Sequence, residues 1–233
     1  MAPPRYGKIN FEMISTWIGR SSEEDGPFWA LNLMKYRQVA EYADGRETTR
    51  SGREADDEYV PRDSLHAIGA MITFAADVVD QRGSEPRWDR IGIVRYPSRA
   101  AFLEMQQRDD FKDKHVHKDA GMECTIVMSC LPVSTGVAGE GTLVLRVARF
   151  DDGATLAPIV GCRPVAAFGV EGVIVGDDRT WTSVAFDRCP DAATLEAALL
   201  ASDGAAECCA LAFAEPALDR LIESIVAAAE GGN

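Results

Sequence analysis

The chain has 233 residues, 46% apolar and 26% charged, a length and balance that suit two domains of about 100 residues each and exclude a disordered chain. Its net charge of −13 is uneven: residues 1–138 hold 18 Lys+Arg against 22 Asp+Glu, and residues 139–233 hold 6 against 15. An acidic field repels phosphate backbones and anionic lipid, and no Lys/Arg run with interleaved aromatics occurs, so neither nucleic acid nor a membrane surface is expected as a partner.

The opening Met1-Ala-Pro-Pro-Arg-Tyr-Gly-Lys8 has no apolar core of a signal peptide, and no later run is apolar enough to span a bilayer, so the expected compartment is the cytoplasm. A β-rich run, Phe28–Tyr36, is the first expected strand, followed by a polar stretch over 43–54 and a helical stretch over Arg53–Ile68. A strand over Ala70–Val79, a hairpin at Asp80–Pro86 and a strand from Trp88 to Pro97 come next. Ser98 then opens an amphipathic helix, and Cys124–Leu131 is the last strand of the first half.

After a linker at 132–141 the same order returns. Strands are expected over Thr142–Phe150, Val165–Val175, from Trp181 to Pro190 and over Cys208–Phe213, with helices over Ala154–Val160 and from Asp191. Both Trp-to-Pro distances are nine residues, and in both halves an N-cap candidate follows the proline. The final segment, Ala217–Ala229, reads as an amphipathic helix that covers a sheet edge or mates with a partner subunit.

This self-similarity predicts an α+β chain of two tandem ferredoxin-like β-α-β-β-α-β repeats, residues 1–131 and 142–233. One such sheet leaves an apolar face bare, so the two sheets should pack as a pseudo-dimer within one chain or exchange partners in a homodimer. The six cysteines form no CxxC pair and lie mostly in apolar runs, which marks them as small core residues rather than zinc ligands.

Leu31-Asn-Leu-Met-Lys-Tyr36, Ala40-Glu-Tyr-Ala-Asp-Gly-Arg-Glu-Thr48 with Ser51-Gly-Arg-Glu-Ala55, and Tyr96-Pro-Ser-Arg-Ala-Ala-Phe-Leu-Glu-Met105 with His115-Val-His-Lys-Asp-Ala-Gly121 carry a resemblance. Over roughly residues 27–131 the chain resembles the DUF1330 group of the dimeric α/β-barrel superfamily. That resemblance implies a fold. The wider superfamily includes cofactor-free monooxygenases, lactone isomerases, polyketide cyclases and haem-dependent enzymes, so it does not choose a reaction.

All three histidines, His66, His115 and His117, lie in the first half, and the stretch from Tyr36 to Trp88 spans 52 positions where Phe150 to Trp181 spans 31. A working copy and a scaffold copy is the simplest reading. His115 or His117 could act as a general base on a carbonyl or phenolic metabolite, both facing a cavity if extended and only one if helical. The plain alternative is a surface pair between Lys114 and Lys118. A His-x-His metal site and an axial haem ligand are further alternatives, but no third metal ligand stands out and no cofactor is expected.

Arg50 and Arg53 flank the start of the first helix, where a guanidinium could receive an oxyanion, or where Arg53 simply pairs with Glu54, Asp56 or Asp57. Tyr59 and His66, seven apart, would share a helix face toward the sheet. Asn32 interrupts an apolar strand and needs a hydrogen-bonding partner. The expected catalytic set is His117, His115, Arg53 and Tyr59. The expected ligand-binding set is Asn32, Lys35, Tyr42, Arg50 and His66, around a small molecule, with no metal. The runner-up function is a non-catalytic small-molecule binding module.

Overall fold

The computed structural model describes residues 4–21 and 23–230. Two short elements come first, β1 (Lys8–Ile9) and α1 (Phe11–Trp17), the helix capped by the Asn10 side chain accepting from the Met13 N–H. The first half then runs β2 (Phe28–Tyr36), α2 (Gly52–Tyr59), α3 (Arg62–Ala67), β3 (Met71–Gly83), β4 (Arg90–Tyr96), α4 (Arg99–Gln107), α5 (Asp109–Gly121) and β5 (Met122–Thr135). The second runs β6 (Thr142–Arg149), β7 (Arg163–Gly176), β8 (Ser183–Cys189), α6 (Ala192–Leu200), β9 (Glu207–Phe213), β10 (Leu218–Asp219) and α7 (Leu221–Glu230).

Eight long strands pair antiparallel in the order β7-β5-β2-β4-β3-β9-β6-β8, and β8 returns to β7, so the sheet closes on itself as a barrel. The strand order is β5-β2-β4-β3 in the first half and β9-β6-β8-β7 in the second. The halves join through β5–β7 and β3–β9, entirely within one chain. β1 and β10 add short pairings to β7 and β3.

Strand alternation divides the core into two layers. Trp29, Leu31 and Leu33 of β2 fill the lumen with Ile91 and Ile93 of β4, Ile126 and Met128 of β5 and Phe186 of β8. Phe28 and Ala30 belong instead to the layer under the helices, with Tyr96, Met105 and Phe111. Both faces of these strands are covered, which is why the sequence shows little polar–apolar alternation.

Several expected elements differ. The helical stretch over Arg53–Ile68 is two helices, because Pro61 lacks the N–H a continuing helix needs and restricts Val60 before it. No helix forms over Ala154–Val160: the Ala157 carbonyl accepts from Arg146, the Ala157 N–H donates to Asp203, and the Leu156 N–H donates to the Ser183 hydroxyl. Side chains take the backbone groups a helix would use.

β5 continues to Thr135, so the first four residues of the expected linker are strand. The closing segment is β10 followed by α7, which sends Leu221 and Ile225 into the lumen cluster rather than over an edge. The Trp29 indole donates to Ser224 of this helix at 2.9 Å. Trp88 and Trp181 are both buried in the lumen cluster, with the Arg179 guanidinium about 6 Å from each ring. The six cysteines are thiols, and Cys162 and Cys189 bring their sulfurs to 2.8 Å.

Candidate functional site

Even-numbered residues of β2 face the helix layer, so Ala30, Asn32 and Met34 form one wall of a cavity of about 270 Å³ whose other walls come from β4 and α2 to α5. This volume sits at the small end of ligand pockets, enough for one ring or a short chain. Ile72 and Ala75 of β3, Val127 of β5, Val175 of β7, Tyr6 ahead of β1 and Leu218 of β10 add to the lining.

Two helices supply the chemistry because glycines let them meet backbone to backbone. A Cβ on Gly52 would stand 2.2 Å from the Gly121 carbonyl oxygen, and one on Gly121 would stand 2.4 Å from the Gly52 carbonyl oxygen. α2 starts with a capping box in which Ser51 accepts from the Glu54 N–H and Glu54 accepts from the Ser51 N–H. Its cavity face then carries Asp56 and Tyr59; the matching face of α5 carries Phe111, His115 and Lys118, spaced four and three apart.

Lys118 is buried, and among the described residues its Nζ makes one hydrogen bond, a long 3.4 Å contact to Asn32 Oδ1. Its Nζ lies 5.2 Å from the centre of the Tyr59 ring and 5.7 Å from that of Tyr6. Burial pushes this amine below the usual ammonium range, against the pull of Asp56. Asp56 is buried too and accepts from the Tyr36 hydroxyl at 2.7 Å. Burial pushes its carboxyl up, opposed by Lys118, the Tyr36 hydrogen bond and Arg90.

His115 shares a 2.8 Å hydrogen bond between Nε2 and the Tyr6 hydroxyl, with Phe111 and Tyr59 against its ring. Burial, helped by Lys118, lowers its pKa to about 4, so it is neutral at neutral pH. Burial raises the Tyr6 and Tyr59 hydroxyls, which stay protonated.

Of the expected site residues, the structure gathers His115, Tyr59 and Asn32 at this cavity. The others stand elsewhere. α5 turns His117 about 200° from His115, and its Nδ1 bonds the Tyr42 hydroxyl at 2.8 Å, beside an open surface groove formed by residues 40–50 that includes Arg50. Arg53 pairs with Asp77 at 2.7 Å and Asp57 at 3.4 Å, and Lys35 with Asp89 at 3.0 Å. His66 is exposed on α3, and the break at Pro61 keeps it from sharing a face with Tyr59. Lys118, read from the sequence as one of the charges flanking a surface histidine pair, is instead buried at the centre of the cavity.

Asp56, Lys118, Tyr6 and Tyr36 were not singled out by sequence reasoning. The signal that could have found two of them is helical spacing: Gly52, Asp56 and Tyr59, and Phe111, His115 and Lys118, each recur on one face.

No family model matches the chain, and no curated protein does. Among solved structures, a protein of unknown function from Rhodopseudomonas palustris is similar at 25% identity over 53% of this chain and 93% of its own, with a TM-score of 0.45. A “putative monooxygenase” from Lactobacillus acidophilus shares 11% identity over 83% of this chain and 96% of its own, TM-score 0.42. A chlorite dismutase from Candidatus Nitrospira defluvii, a mutant form, shares 6% over 90% and 97%, TM-score 0.45. The last two are of the dimeric α/β-barrel type; with every score below 0.5, the fold description rests on this chain's own strand order.

No three His, Cys, Asp or Glu side chains converge among the described residues, His115 and His117 turn to different tyrosines, and the cavity holding His115 is small. Among the described residues, no helix is long and apolar enough to cross a membrane.

Proposed function

We propose that the chain is an enzyme that binds a small carbonyl or phenolic compound in the first-half cavity and moves a proton there using its own side chains. The observation that carries this is the enclosure of one amine and one carboxyl, Lys118 and Asp56, in the same largely apolar cavity. Pairs of groups whose surroundings push their pKa values toward neutrality are suited to acid and base roles. In this reading Asp56, held by Tyr36, takes the proton from a phenol or from a carbon next to a carbonyl. Lys118 stabilises the oxygen anion that develops. His115, neutral and bonded to Tyr6, shapes the wall instead of serving as the principal base.

The same reading takes the chain as two diverged ferredoxin-like copies, the first active and the second a scaffold, with DUF1330-like ancestry in the first. The strand orders β5-β2-β4-β3 and β9-β6-β8-β7 support it, since both place the copy's last strand beside its first and its third between first and second. A cytoplasmic location and a homodimer remain proposals resting on composition and on the resemblance.

The test uses p-nitrophenol, a one-ring acid whose colour reports its ionisation. Wild-type protein is expected to bind it and lower its apparent pKa, while Lys118→Met binds at least about ten-fold more weakly with its circular dichroism unchanged. Equal binding by wild type and Lys118→Met would overturn the reading.

A further inference from the structure

We propose that Lys118 is a nucleophile that forms an imine with a small aldehyde or ketone in this cavity. The inference rests on the reading of the cavity as an acid–base site and gives it a substrate class and a covalent step.

The chain has five lysines. Lys8, Lys35 and Lys112 each hold a carboxylate at 2.9 to 3.1 Å and keep part of their surface in water. Lys118 has no carboxylate within salt-bridge distance among the described residues, is 7% exposed, and points its Nζ between two aromatic rings into open cavity. An amine needs its lone pair free to attack a carbonyl carbon, and burial in an apolar pocket is a recognised way to free it. The downward shift of this amine agrees with that geometry.

The pair Lys118 and Asp56 can hold its protons as ammonium with carboxylate, or as amine with carboxylic acid, at the same total proton count. Burial pushes both groups toward the second arrangement. From it, Nζ attacks the carbonyl carbon, and proton transfer from nitrogen to oxygen gives a neutral carbinolamine. The Asp56 carboxylic acid then protonates the hydroxyl, the C–O bond breaks and water leaves. An iminium on Lys118 and a carboxylate on Asp56 remain, so one amine, one carbonyl and one acid become one iminium, one carboxylate and one water. No oxidant or cofactor enters. The Tyr36 hydroxyl, donating to Asp56 Oδ2, is placed to hold that carboxylate.

The full chain is incubated at neutral pH with benzaldehyde, whose single ring suits the cavity, and sodium cyanoborohydride, then digested and mapped by mass. The expected result is one benzylamine adduct on Lys118, formed at least about ten-fold faster than on Lys8, Lys35, Lys112 or Lys114, and slowed by Asp56→Asn. Adducts spread over the other four lysines with Lys118 unmodified would overturn the imine. If p-nitrophenol still binds in a Lys118-dependent way in that case, only the covalent step falls; if it does not, the acid–base site falls with it.

Discussion

His115 shows how one residue's environment becomes a measurable pH dependence. Its folded pKa, lowered to about 4, lies below the ordinary value of 6.5, so the unfolded chain takes up a proton first as pH falls. The stability tied to its neutrality is complete above pH 6.5 and is lost as pH falls through the window to about 4. Wild type is expected to lose up to about 3 kcal/mol more than His115→Gln across that window, read by urea denaturation at several pH values. Equal losses would show that the imidazole is not held neutral. The sequence drew attention to His115; its nearness to Lys118 in the cavity was not legible. The i, i+2 pair His115 and His117 drew attention, while the helix joins His115 to Lys118 three residues on. A lysine among Lys112, Lys114 and Asp119 reads as surface, and only the packing of α2 and the Tyr6 segment over it makes it buried.

At the scale of elements, the α2–α5 contact sets where those side chains meet. A Cβ at Gly52 would fall on backbone atoms of Gly121 and Arg37, which have no rotamer by which to yield. Gly52→Ala should therefore cost about 3 kcal/mol or more and weaken p-nitrophenol binding, while Gly26→Ala, which meets nothing within 4 Å, should stay within about 0.5 kcal/mol of wild type. Comparable denaturation midpoints for the two variants would mean that the helices can separate at little cost. Local signals made two helix starts legible, since Ser98 and Asp191 cap as their side-chain chemistry predicts; the capping box of Ser51 with Glu54 appears only in the structure. The loop at Ala154–Val160 was not legible, because Arg146, Asp203 and Ser183, distant in sequence, capture its backbone groups.

Over the whole molecule, the succession of the long strands and the paired Trp-to-Pro segments were visible in the sequence, and a barrel was expected from the resemblance alone; the strand pairs that close it were not legible. Closure depends on β5–β7 and β3–β9, contacts between halves that no local pattern encodes. The closed barrel fills its lumen with side chains, and in the proposed reading the ligand sits on the helix-covered side of the first half. In the second half the position of Asn32 on the first strand is taken by Arg146, whose guanidinium is fully buried and held by Asp203, Asp187 and the Ala157 carbonyl. Arg146 is thereby tied to carboxylates of its own half. The most direct test of this division is an amide chemical-shift map of the labelled protein titrated with p-nitrophenol. The account predicts perturbations clustered on β2, β4, α2 and α5 around Asp56 and Lys118. A cluster in the second half, or on the surface loop from Ala40 to Arg50, would contradict it.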